Sequence, residues 1–162
     1  MTDNPFWQFT LDFYQQPGVE KACLTFQDKF GGNVCLLLFC CWLDINSCAV
    51  NIDQLATLDQ QVHEWESQFL QELRLSRRQS RPQKDHAESS QQFYELLKRL
   101  ELQGEKYLCD QLYTWYLQQP IAESRAPDCT RNYLRMYAVD TSLASLIIDT
   151  ANNFSGTNSG RR

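Results

Sequence analysis

Apolar and polar positions along this chain follow helical periods. Phe6, Phe9 and Phe13, with Leu11 and Tyr14, recur at helical spacing after Asn4-Pro5. That pair has the form of an N-cap followed by proline at the first helical position, so a first helix is expected up to Gln16. Pro17-Gly18 breaks it. Val19, Cys23, Phe26 and Phe30 then lie three or four apart on one face of a second helix, which Gly31-Gly32 ends. Asn33 caps a third segment. Its ten residues from Val34 to Leu43 are all apolar, far short of the roughly 18 to 20 that cross a bilayer, yet too apolar all round for a surface helix. The pattern places this short helix at the buried centre of the fold.

Beyond a connector at 46–51, Leu55, Leu58, Val62, Trp65, Phe69 and Leu73 step by three or four and predict an amphipathic helix of several turns. Asp53 is its expected cap, and Arg74, Arg77 and Arg78 suit the negative end of its dipole. The polar stretch 80–90, with Arg81-Pro82, reads as a flexible loop spanning about 78–90. A second long amphipathic run, 91–119, carries Phe93, Leu97, Leu100, Tyr107, Leu108, Leu112 and Trp115 on one broad side. Gly104 sits inside it at a cost of about 1 kcal/mol against alanine, so it marks a kink or a close helix crossing. Asp128 opens a final helix through Tyr133, Met136, Tyr137, Asp140, Leu143, Ala144 and Ile147, and residues 152–162 are expected to be a disordered tail. No internal repeat and no alternating strand pattern is present. The expected fold is all-α: one compact domain over 1–151, of about six helices around the short apolar one.

Composition narrows the function classes. A chain of 162 residues fits one domain with a sizeable core. A formal charge of -5 and a pI near 5.0 argue against general polyanion binding. The seven cysteines are odd in number, and four lie in or just after the most apolar stretch, which reads as buried thiols. The first residues show neither a basic start nor an apolar run, so a cytoplasmic location without a disulfide framework is expected, and no membrane association.

Five of the fifteen Lys and Arg residues fall within eleven positions: Arg74, Arg77, Arg78, Arg81 and Lys84. They are the candidate contacts for an anion or RNA. The plainer explanation is a helix end complementing its own dipole and pairing with local acids such as Glu72; no aromatic platform interleaves the segment. A second candidate is a small-ligand cleft near Gln27, Asp28 and Asn33, where paired glycines admit close backbone approach and Asn33 presents a helix N-terminus. A C-cap followed by an N-cap explains the same residues more simply. Asp59, His63 and Glu66 share a helical face, but a solvated polar face accounts for that spacing better than a metal site. The cysteines form no Cys-x-x-Cys, and the chain has no nucleophile elbow, phosphate loop or dinucleotide fingerprint. No metal, no cofactor and no catalytic residue is therefore assigned.

The N-terminal residues resemble a family of short bacterial proteins classed only as a domain of unknown function. The shared pattern is Trp7, Tyr14, Pro17 to Val19, Cys23-Leu24, Gln27-Asp28, Gly31 or Gly32, Val34, Leu36 to Leu38 and Trp42, continuing into Leu73-Arg74-Leu75-Ser76-Arg77-Arg78. The resemblance covers roughly the first half of the chain. It implies an all-helical cytoplasmic protein and supplies no activity.

The leading functional expectation is a non-catalytic interaction or accessory protein, whose long amphipathic helices serve self-association or a protein partner. Trp and Tyr are numerous enough for some to cover a partner. Anion or RNA binding through residues 74–84 is the first alternative, with nucleic acid not favoured. An enzyme with an unfamiliar site between helices is the second.

Overall fold

Capping chemistry sets the first three helices where the sequence places them. In the computed structural model, which describes residues 3–82 and 87–154, the Asn4 side chain accepts from the Phe6 and Trp7 amides and opens α1 (Pro5–Tyr14). α2 (Val19–Phe30) ends on Gly31, at φ 76°, whose amide donates to the Gln27 and Phe26 carbonyls. This left-handed C-terminal position favours glycine. A Cβ on Gly32 would lie 2.0 Å from the Phe26 ring, so the second glycine is required for close approach. Asn33 then accepts from the Leu36 amide and starts α3 (Val34–Ile45).

Every residue of α3 from Cys35 to Leu43 is buried. The helix packs against α1 and α2 and against four later helices, Ile52–Trp65, Glu88–Gln118, Cys129–Met136 and Thr141–Asn153, and forms the core axis that the apolar run predicts. All seven cysteines are buried. Within α3 Phe39 stacks on Trp42, Phe6 of α1 meets Phe39 edge-on and Trp42 at a tilt, and Trp42 meets Tyr113 and Tyr116 edge-on.

The fourth helix departs from expectation. Asn51, rather than Asp53, caps α4 (Ile52–Trp65) and exchanges hydrogen bonds with Gln54 in a reciprocal capping box. α4 runs without interruption into a π-helical turn (Glu66–Leu70) and then α5 (Gln71–Gln79). The wide turn accommodates an extra residue and shifts the buried face. Leu70 is fully buried, whereas Phe69, expected in the core stripe, is 52% exposed.

α6 (Glu88–Gln118) has 31 residues, about 46 Å at 1.5 Å per residue. It passes through Gly104 unbroken, and a Cβ there would lie 2.6 Å from Leu70 Cδ2; this is the close crossing. The connector expected over 78–90 is shorter, since α5 reaches Gln79 and α6 begins at Glu88. Two-residue strands, β1 (Cys48–Ala49) and β2 (Ala122–Glu123), pair antiparallel, too short to register as a pattern. The expected last helix is two, α7 (Cys129–Met136) and α8 (Thr141–Asn153), parted where Ala138 takes φ 50°. Asp140, expected within the helix, caps α8 through the Leu143 amide. Asn152 and Asn153, assigned by sequence to the tail, complete α8, and Phe154 packs edge-on against Phe9 and Phe13. The rest of the expected tail, 155–162, lies outside the described residues. The fold is all-α, with seven helices among the described residues when α4 to α5 counts as one. None of them is long and apolar enough to cross a membrane.

Candidate functional site

α5 carries no buried residue and packs on the N-terminal part of α6, so the two form an arm projecting from the core helices. A cleft of about 420 Å³ opens between that arm and α1 to α3, within the size range of small-molecule sites. α1 contributes Trp7, Thr10, Leu11 and Tyr14, with Gln15 at its C-cap; α2 contributes Glu20, Leu24, Gln27 and Asp28; α3 contributes Val34, Cys35 and Leu38. The arm supplies Arg74, Arg77, Arg78, Glu101, Leu102 and Glu105, and the π-turn before it supplies Glu66. Helical spacing explains the assembly: Trp7, Leu11 and Tyr14, then Glu20, Leu24, Gln27 and Asp28, fall on single faces.

The arm's contribution is a charge network. Arg74 Nη1 donates to Glu66 Oε1 at 2.5 Å, Nη2 lies 3.5 Å from Glu105 Oε1, and Nε lies 3.4 Å from Glu101 Oε1. Arg77 Nε donates to Glu101 Oε2 at 2.5 Å. Side-chain exposure is 9% at Glu66, 14% at Arg74 and 13% at Glu101, rising to 33% at Glu105. The π-turn makes this possible. Eight residues exceed two α-helical turns, and the wide turn absorbs the excess so that Glu66 and Arg74 share a face.

The electrostatics follow. Burial opposes the Arg74 charge, but the hydrogen bond and charge of Glu66, with Glu105 and Glu101, outweigh it and hold the guanidinium above its usual range. Burial raises the Glu105 carboxyl above its ordinary value; Arg74 opposes this, and Glu101 and Glu66 add to it. The Tyr14 phenol is pushed up to about 12, by burial first and then by Cys23, Glu20 and Glu105. Cys35 is held well above the usual thiol range by its hydrogen bond with Cys109 and by burial, the reverse of an activated thiolate.

Both sequence-derived sites therefore meet in one place, though not complete. Arg74, Arg77, Arg78, Gln27 and Asp28 all line the cleft. The acids that engage Arg74 and Arg77 are Glu66, Glu101 and Glu105, rather than the expected Glu72. Arg81 is exposed beyond α5, and Lys84 lies outside the described residues. Asn33 belongs elsewhere. Its amide donates to Tyr133 Oη at 3.1 Å, Tyr133 donates to Asp59 Oδ1 at 2.6 Å, and Tyr137 donates to Asp59 Oδ2 at 2.6 Å. His63 Nδ1 and Nε2 lie 2.8 Å from the Asp59 carbonyl and 3.0 Å from the Gly31 carbonyl. This second cluster ties α2, α3, α4 and α7 together. Asp59 and His63 serve it while Glu66 turns into the cleft, and among the described residues no group of three or more His, Cys, Asp or Glu is arranged to hold a metal ion.

A small all-helical protein with a charge-lined cleft beside a projecting helical arm is the class that these features define. The chain belongs to the family described as a protein of unknown function, DUF2390, whose model matches residues 5–112. The matched stretch includes every residue lining the cleft. No curated protein and no solved structure matches the chain.

Proposed function

We propose that this protein is a non-catalytic interaction protein that docks through the arm, with a second copy of the chain as the occupant. The observation that carries the reading is an apolar strip on the arm. Phe93, Leu96, Leu100 and Tyr107 follow one another by three, four and seven residues along α6, one helical face, and are 45% to 54% exposed. Phe69 continues the strip, because the Trp65 ring lies between Phe69, 5.4 Å away, and Tyr107, 5.2 Å away. Five large half-exposed side chains offer on the order of 500 Å² per copy. Two such strips face to face, with a polar rim, reach the roughly 1,200–2,000 Å² of stable interfaces.

Size-exclusion chromatography with light scattering tests this. A dimer that becomes a monomer in the F93S/L96Q/L100Q variant, with helical circular dichroism retained, is expected. A wild-type chain that stays monomeric at high micromolar concentration contradicts it.

The anion or RNA alternative is weakened by the arm's other face. Arg74 and Arg77, the segment's central cations, are engaged by Glu66, Glu101 and Glu105. A phosphate would have to displace carboxylates that are already desolvated and hydrogen-bonded.

A further inference from the structure

We propose that the cleft between the arm and α1 to α3 binds a small organic amine, its ammonium seated at Glu105 and its apolar body between α1 and α2. This site lies on the opposite face of the arm from the docking strip and stands independently of it.

Three observations converge. The first is charge balance. The ion pairs among the described residues set Glu66, Glu101 and Glu105 against Arg74 and Arg77, three carboxylates against two guanidiniums, and the nearby His63, whose charge Glu66 favours, is shared with Asp59. A desolvated excess charge calls for a counter-ion or a proton. Lys106, the next residue along α6, pairs with Asp110 at 2.9 Å and lies over the Trp7 ring, 6.0 Å from its centroid, rather than against Glu105. Arg78 stands exposed at the mouth, where Glu20 and Asp28 add two further carboxylates.

The second is hydrogen-bonding capacity. Glu105 has the longest contact in the network, 3.5 Å to Arg74 Nη2, and keeps the greatest exposure of the three acids. It retains lone pairs for a donor arriving through the cleft. The third is the wall. Trp7, Leu11, Leu24, Val34 and Leu38 line the space leading to it, a surface for an alkyl or aryl body. Inorganic cations and polyanions lack such a body.

Glu105 answers to the charges of Arg74 on α5, Glu66 in the π-turn and Glu101 on α6; Tyr14 on α1 and Cys35 on α3 stay protonated beside it, and Glu20 and Asp28 on α2 line the same cleft. An ammonium needs the carboxylate ionised, and burial raises the pH at which that happens. Binding should therefore strengthen as pH rises above 4.5 until Glu105 is ionised, roughly tenfold for each unit by which the pH lies below the Glu105 value.

Titration calorimetry of the full chain with hexylamine, hexanoate and hexanol tests the proposal. The expected result is binding of hexylamine at least roughly tenfold tighter than of either control, strengthening with pH, and lost in Glu105→Gln. Leu24→Trp, which fills the cleft without touching a charge, should also weaken it. Equal binding of hexanol, an unaffected Glu105→Gln variant, or no heat with hexylamine at millimolar concentration would overturn it. Circular dichroism confirms that each variant is folded, and the dimer assay remains unchanged if the two surfaces are separate.

Discussion

Glu66 and Arg74 stand eight residues apart in one helical rod, and Arg74 Nη1 donates to Glu66 Oε1 at 2.5 Å. The π-turn between α4 and α5 brings the pair into register and turns a carboxylate inward that is only 7% exposed. Removing one partner of such a pair leaves an uncompensated charge away from water. Arg74→Leu should cost about 3–5 kcal/mol in urea unfolding, because it strips three glutamates of a shared cation. The Glu66→Leu/Arg74→Leu double variant should cost less than the sum of its parts. Additive losses would mean that the pair is not coupled.

Gly104 gives a sign that helix propensity alone gets wrong. Alanine improves an exposed helix by about 1 kcal/mol, yet here its Cβ would sit 2.6 Å from Leu70 Cδ2. Gly104→Ala should destabilise by about 1–3 kcal/mol through overpacking. A thermal midpoint that rises instead would show that α4 to α5 and α6 cross less closely.

Legibility in the sequence follows the range of the interactions. Asn4-Pro5, Gly31-Gly32 and Asn33 mark boundaries through bonds to residues two to six positions away, so their roles can be read locally, and Val34 to Leu43 announces its burial by composition. Long-range substitutions are hidden. Asp44, on α3, accepts from the Cys129 and Thr130 amides at 2.8 and 2.9 Å, taking for α7 the role that sequence assigns to Asp128; Asp128 makes no side-chain cap bond. The π-turn has no periodic signature, so strict helical spacing puts Phe69 inside where Leu70 belongs. The site is half visible. Clustered arginines stand out, but Glu101 and Glu105 reach them from α6, 24 to 31 positions away. Proximity in sequence groups Asn33 with Asp28, while its packing against Tyr133 depends on α7.

The Asp59 cluster yields a further test. Tyr133 is fully buried, and its hydroxyl both donates to Asp59 and accepts from the Asn33 amide. Tyr133→Phe leaves a buried amide and a carboxylate oxygen without that partner, at an expected cost of about 1–3 kcal/mol. Chemical denaturation that shows no loss would remove the cluster from the structural core.

His63 adds a pH dependence of defined sign. Burial disfavours its charged form, but the Asp59 and Gly31 carbonyls and the charges of Asp59 and Glu66 prevail and raise its pKa above 6.5. A cationic imidazole can donate to both carbonyls, whereas either neutral tautomer loses one bond. The contribution is thus complete below pH 6.5 and disappears as pH rises through the folded-state value. Unfolding free energy measured from about pH 6 to 9 should fall over that window, and His63→Gln should flatten this component. A component that rises with pH contradicts the assignment.

The most direct measurement is sedimentation velocity of the wild-type chain across a concentration series, beside the F93S/L96Q/L100Q variant. Docking through the arm predicts a wild-type coefficient that climbs from monomer to dimer with concentration, while the variant stays monomeric and helical. A concentration-independent monomer, or a dimer that the triple substitution leaves intact, would contradict it.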